Sequence, residues 1–350
     1  MQHEPQPVRP GEELPLPALR AYLESRLGDA GLLSVSQFPG GYSNLTYLLR
    51  VGNHEYVLRR PPAGANVKSG HDMEREFNVL SAIRPQYGRV PRPVLYCGDA
   101  SVVGAPFYLM ERVDGLILRG ARPEGFAADA PAMRRLSEAL VDNLAEIHAL
   151  DVTRPEVAAL GRPEGYVGRQ VEGWTKRYHR TRTDDLPEMD RVAEWLARHL
   201  PPERYVGLVH NDYKYDNVVF APGPGEIRAV LDWEMATVGD PLMDLGTTLG
   251  YWAEPGDPAP LRGFGPTTLP GNLTRREVAG RYAQRTGRDL GDVIFYYAFG
   301  LFKIGVIVQQ IYYRYRQGLT QDPRFAGLVH VLRACAAQAD GAIRTGVLGG

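Results

Sequence analysis

From Leu208 to Glu234 the chain reads LVHNDYKYDNVVF, then APGPGEIR, then AVLDWE. These residue types at this spacing suit phosphoryl transfer. The Asp212 carboxylate would meet a substrate hydroxyl, and Lys214, two residues on, would reach the transferring phosphate. Asn217 supplies an amide oxygen and Asp232 a second carboxylate, the hard oxygen donors that magnesium takes. His210 is expected to brace the backbone of this loop rather than exchange protons. Asp216 is expected to be solvated or to sit behind the reacting groups.

The elements around these residues must bring them together. Val218 to Phe220 reads as a short apolar strand, Pro222 to Gly225 as a turn, and Ile227 to Leu231 as a second strand. That hairpin leaves Asp232 at a strand end beside the first loop. Gly239-Asp240-Pro241 then reads as a helix start, with Asp240 as N-cap and Pro241 at the first helical position. Asp244 is expected to tie that helix start to the catalytic loop.

The upstream third should hold the phosphate donor. Phe38 to Asn44 lies between two apolar runs, and Gly40 and Gly41 would let backbone N–H groups approach phosphate oxygens, with Ser43 and Asn44 beside them. Tyr47 to Val51 and Glu55 to Arg59 read as strands. Arg59 or its neighbour Arg60 would meet the phosphates, and strand alternation allows only one of the two to face the site. His71 to Ile83 reads as an amphipathic helix carrying Glu74 and Glu76. Either carboxylate would aim the arginine, and Glu76 is the choice because it directly precedes the apolar stripe. Val94 to Cys97 and Pro106 to Met110 add strands. Met110 to Val113 would be the connector between lobes, with Glu111 and Val113 offering backbone groups to an adenine edge.

The phrases GGYSNLTYLL, YVLRRPP, MEREFNVLSAI, FYLMERVDG, VHNDYKYDN and VLDWEMATVGDPLMDLG occur in this order over about residues 35 to 250. In this the chain resembles the aminoglycoside phosphotransferase-like branch of the protein-kinase-like fold. Within it, the chain is most similar to the kinase-like domains related to those fused to some acyl-CoA dehydrogenases. The resemblance implies an α+β, two-lobed fold with a small antiparallel N-terminal sheet, one key helix, and a larger, mostly helical C-terminal lobe. It also implies ATP and Mg2+ as cofactors, a hydroxyl on a small molecule as acceptor, Asp212 as base, Asn217 and Asp232 as metal ligands, and Arg59 with Glu76 as the phosphate-positioning pair. The chain departs from the family pattern at Arg59, where a lysine is usual, and at Asn211, where many members have glycine.

The rest of the chain bounds the reading. With 350 residues, two lobes are expected, at 15–112 and 113–350, after a polar mobile tail at 1–14. A net charge of -1 argues against nucleic acid as a partner, and two cysteines fit a reducing cytoplasm. Phe295 to Tyr313 is apolar but contains Lys303, Gln309 and Gln310, so it is expected to be a buried helix and not a membrane span. No obligate protein partner is evident. Further helices are expected at Leu16 to Leu27, Ala132 to Ala149 and Met189 to Leu200, with His148 as a cation at a helix C-terminus. Asp257 to Pro270 is rich in proline and glycine and is expected to border the substrate cleft. The last hundred residues hold seven acids against twelve bases, which favours a neutral or anionic acceptor, such as a hydroxyacyl compound, over a polycationic antibiotic. An aminoglycoside O-phosphotransferase and a non-catalytic nucleotide-binding pseudokinase are the alternatives.

Overall fold

The computed structural model describes residues 5–28, 31–39, 44–62, 72–121, 129–223, 225–320 and 322–349. In chain order its elements begin α1 (Leu16–Leu27), β1 (Leu33–Gln37), β2 (Leu45–Val51), β3 (His54–Arg60), α2 (Met73–Ile83), β4 (Pro93–Cys97), α3 (Ala100–Val103), β5 (Phe107–Glu111) and β6 (Leu116–Ile117). Then follow α4 (Ala130–Ile147), α5 (Pro155–Ala158), α6 (Tyr166–Arg180), α7 (Pro187–Arg198), β7 (Gly207–Val209), β8 (Val218–Phe220), β9 (Ile227–Val230) and β10 (Thr237–Gly239). The chain closes with α8 (Pro241–Tyr251), α9 (Arg275–Thr286), α10 (Val293–Arg316) and α11 (Leu328–Thr345). It divides into two units, 1–117 with 228–235, and 118–227 with 236–350. The segment carrying Asp232 therefore belongs to the first unit although the second unit surrounds it in sequence.

The first unit is an antiparallel sheet in the order β1-β2-β3-β5-β4. Alternation assigns its faces. Leu45, Tyr47, Leu49 and Val51 of β2 point into one core with Leu19 and Leu23 of α1, Leu58 of β3 and Phe107 of β5. On the opposite face α2 packs on β4 and β5, with the Phe77 ring 6.4 Å from that of Tyr108. Arg59 and Arg60 follow the same alternation. Arg60 turns toward the α1 face, where its guanidinium donates to the Val103 carbonyl at 2.7 Å and the Glu12 carbonyl at 3.2 Å. Arg59 turns toward α2. The segment expected to be a mobile tail is fastened here: Gln6 bridges to Gln37, the Tyr47 hydroxyl donates to the Glu12 carbonyl at 2.7 Å, and Leu14 joins the core.

In the second unit β7 and β10 pair antiparallel, with Gly207 opposite Gly239. The pair brings the loop after β7 beside the start of α8, where Asp240 caps the helix by accepting from the Leu242 N–H at 2.8 Å. Helices α8 and α10 cross at Gly246 and Gly300. A Cβ on Gly246 would overlap the Tyr296 carbonyl, and one on Gly300 the Gly246 carbonyl, so only glycine permits this approach. α10 has 24 residues and is, among the described helices, the one long and apolar enough to cross a membrane, but 78% of its apolar window is buried inside the protein.

Candidate active site

The loop between β7 and β8 gathers three of the expected residues. The Lys214 ammonium lies 2.9 Å from both carboxylate oxygens of Asp212. Asn217 donates through Nδ2 to the Asp212 carbonyl and to Asp212 Oδ2, each at 2.9 Å. That orientation leaves the Asn217 amide oxygen without a hydrogen-bond donor among the described residues, and this is the atom a hard cation would take. Burial disfavours charge on Lys214, but the charge and hydrogen bond of Asp212, together with Tyr251 and Asp216, outweigh it and hold the ammonium well above its usual range. The Lys214 Nζ also lies 4.5 Å from the centroid of the Tyr251 ring.

Backbone hydrogen bonds fix this loop. The fully buried Asp244, in the first turn of α8, accepts the N–H groups of His210 at 2.6 Å and Asn211 at 2.8 Å. His148 Nε2 lies 3.1 Å from the same carboxylate, and His148 Nδ1 lies 2.7 Å from the Tyr282 hydroxyl. Burial opposes charge on Asp244, yet its bond from His148 and the surrounding donors outweigh burial and hold the carboxyl below its ordinary range. Burial pushes His148 down, so a neutral imidazole gives its Nε2 proton to Asp244 and accepts from Tyr282. The expectation of a helix-terminal cation at His148 is thus corrected: the ring turns inward and bridges two helices. His210 Nδ1 accepts the Asp212 N–H at 3.2 Å, which is a backbone brace.

Asn211 sits at φ 68, in the left-handed region. Asparagine tolerates that conformation better than most residues with a Cβ. Its side chain exchanges hydrogen bonds with the Tyr166 hydroxyl of α6 at 3.0 and 3.2 Å, and its carbonyl accepts from Lys303 of α10 at 2.7 Å.

A small cavity of about 10 Å³, room for about one water molecule, adjoins Lys214, lined by Tyr215, Thr248, Tyr251, Trp252, Phe264, Gly265 and Thr267. Phe264, Gly265 and Thr267 come from the proline- and glycine-rich stretch. Among the described residues, no carboxylate and no arginine lines it. The base-rich count over the last hundred residues therefore does not describe the cavity. Arg275 pairs with Asp257, Arg281 with Asp142, Arg324 with Asp322, and Arg344 with Asp340. Asp216, expected to be solvated or to sit behind the reacting groups, is mostly buried. Desolvation pushes its carboxyl up to about 6, and its Oδ1 is buried without a hydrogen-bond partner, as is Thr267 Oγ1.

The other cluster lies in the first unit. Arg59 Nη1 meets Glu76 Oε1 at 2.5 Å, and its two terminal nitrogens reach Asp232 Oδ1 at 3.2 and 3.1 Å. Glu76 is 1% exposed, whereas Glu74 is on the exposed side of α2, so Glu76 is the carboxylate that meets the arginine. Burial is the largest influence on Glu76 and pushes its carboxyl up to about 7, against the pull of Arg59. Asp232 stands at φ 64, directly after the strand. Glu234, which the sequence reading passed over, lies 3.6 Å from Arg59 and accepts from Asn44 Nδ2 at 2.9 Å. The signal for it was present in the repeat of acids two residues apart in Asp-Trp-Glu. Gly40, Gly41 and Ser43 lie outside the described residues. The Glu111 N–H is taken by the Arg92 carbonyl at 2.9 Å and its side chain pairs with Arg92, while Val113 follows beyond the end of β5.

An antiparallel sheet with one buried helix, followed by a mostly helical unit that carries an H-x-D-x-x-x-x-N loop, defines a protein-kinase-like phosphotransferase. Residues 34–279 match the model of the phosphotransferase enzyme family, APH, and the chain belongs to that family. Its class is that of phosphotransferases with an alcohol group as acceptor. The chain is 36% identical over 319 residues to acyl-CoA dehydrogenase family member 10 of Mus musculus, covering 88% of this chain and 29% of that protein. It is 37% identical over 321 residues to acyl-CoA dehydrogenase family member 11 of Rattus norvegicus, covering 89% of this chain and 41% of that protein. The chain thus spans less than half the length of these curated relatives. A crystal structure from Ralstonia eutropha, assigned as an aminoglycoside phosphotransferase, superposes with a TM-score of 0.81 at 31% identity over 95% of this chain and 99% of that one. Choline kinase from Cryptosporidium parvum shares the fold, with a TM-score of 0.65 at 13% identity over 95% of this chain and 97% of that one.

Proposed function

We propose that this chain transfers the γ-phosphoryl group of ATP, with magnesium, to a hydroxyl of a small neutral or anionic metabolite, a hydroxyacyl compound being the favoured class. The observation that carries this reading is the Asp212 carboxylate, held by Lys214 and Asn217 beside a cavity walled by aromatic rings. Its walls are mostly aromatic rings and threonines. The relatives named as acyl-CoA dehydrogenases motivate an acyl acceptor.

In this reading Asn217 fixes Asp212 Oδ2, so Oδ1 is the oxygen that takes the acceptor proton once Lys214 turns toward the phosphoryl group. The ammonium pairs with the Asp212 carboxylate until then, and afterwards neutralises charge on the moving group. The transition state of such transfers is loose, so the proton moves late and Asp212 acts chiefly by orienting the hydroxyl. Magnesium-bound ATP supplies the phosphoryl group and neutralises its charge. The Asn217 amide oxygen and the Asp232 carboxylate would hold the metal, a donor set of hard oxygens that fits it. Arg59, aimed by Glu76, would hold the inner phosphates. Gly40, Gly41, Ser43 and Asn44 would cover them, and the backbone of Glu111 and Val113 would meet the adenine. We place the enzyme in the cytoplasm, a reading supported by two buried, unpaired cysteines.

The test is incubation with ATP, magnesium and parallel panels of hydroxyacyl thioesters, free hydroxy acids and aminoglycosides, followed by mass spectrometry for a phosphate adduct. Turnover of a hydroxyacyl compound is expected. Turnover of aminoglycosides alone would replace this acceptor by the antibiotic one, which the Ralstonia eutropha structure motivates and the carboxylate-free walls oppose.

A further inference from the structure

Lys303 lies inside α10 and is 1% exposed. Removing an ammonium from water is costly unless hydrogen bonds replace its hydration. Among the described residues Lys303 Nζ has no carboxylate partner. It meets the Asn211 carbonyl at 2.7 Å, Asn211 Oδ1 at 3.4 Å, and the Trp174 ring at 5.7 Å from the centroid. The Asn211 carbonyl and the Asp212 N–H belong to one peptide unit. The carbonyl end is held by Lys303, and the N–H end by His210 Nδ1 at 3.2 Å. The preceding N–H groups, of His210 and Asn211, are held by Asp244 of α8. A carboxylate from one helix thus takes the loop's donors, and an ammonium from the helix that crosses it takes the loop's acceptor.

We infer that Lys303 is a positioning residue for the Asp212 base: its ammonium fixes the peptide unit from which the Asp212 side chain springs. This rests on the reading of Asp212 as base, whereas the hold on the loop does not. Without that donor the left-handed Asn211 loses a fixed carbonyl direction, and the peptide is free to rotate. Asp212 then samples orientations that do not meet the acceptor, which lowers kcat while nucleotide binding persists.

The experiment compares the wild type with Lys303→Met and Lys303→Gln. Amide hydrogen exchange by mass spectrometry is followed over 208–214, and ADP release from magnesium ATP gives kcat and KM. In Lys303→Met, exchange in that segment should rise about tenfold, with kcat falling at least about tenfold and the KM for ATP within about threefold. Lys303→Gln, whose amide still donates to a carbonyl, should lie between, and it decides the matter if the methionine variant does not fold. Unchanged exchange over 208–214 overturns the proposal, as does acceleration spread evenly over α8 and α10, which would be general loosening. Asp212→Asn is run beside them. If that variant keeps full turnover, the kinase reading fails while the exchange data still judge the hold on the loop. If it loses turnover and Lys303→Met does not, the positioning role fails alone.

Discussion

In the first unit Arg59 of β3 meets Glu76 of α2, and Asp232 and Glu234 of the one segment after β9, through side chains only. In the second unit Asp212 is held largely through backbone, by Asp244, Lys303, His210 and Asn217 acting on peptide groups. Side-chain ion pairs in a crowded acidic setting are sensitive to charge. A loop pinned at its peptide groups is sensitive to the geometry of the helices that reach it. The two clusters should therefore fail in different ways.

The sharpest way to break the comparison is Asp212→Asn, which keeps shape and removes the base. Turnover should fall about 10³-fold, with magnesium-dependent ATP binding by calorimetry unchanged. Glu76→Ala should cost about 3 kcal/mol in denaturant unfolding, since it breaks a buried pair. The exposed Glu74→Ala should be within about 0.5 kcal/mol of the wild type.

Lys303 separates the units by pH. Burial lowers its pKa from 10.5 to about 8. Between these values the unfolded chain binds more protons than the folded one, so stability should rise with pH across that window. The rise is about 3 kcal/mol by linkage. Lys303→Met should flatten it in denaturant melts at pH 8 and pH 10.5. Gly300→Ala should lower stability by about 1–3 kcal/mol through overpacking, read as a lower melting temperature. Thr267→Val removes a buried hydroxyl without a hydrogen-bond partner and should raise stability by about 1 kcal/mol, with a change in the acceptor KM and none in that for ATP.

Much of the first unit was legible because its rules are periodic. Period-two alternation separates Arg59 from Arg60, and the α2 stripe of Met73, Leu80 and Ile83 contains Glu76 at helical spacing, so a carboxylate there must be buried and paired. The HNDYKYDN loop, the capped start of α8 and the strands β8 and β9 were legible from turn and capping chemistry. The roles of His148, Tyr166 and Tyr282 were not, because each acts on the loop across long sequence separations that no local pattern records. Lys303 left a trace, a charge in the middle of an apolar helix, but not the identity of its partner. The charge count along the sequence says little about the cavity, because six of the twelve bases are taken up in ion pairs.

The contact between Gly246 and Gly300 has a consequence for how this enzyme tolerates change. Both helices that grip the loop are registered at that one methyl-free crossing. A single added carbon would shift the carboxylate and the ammonium together. A selection for folded but inactive variants should therefore recover these two positions, although neither glycine touches the loop.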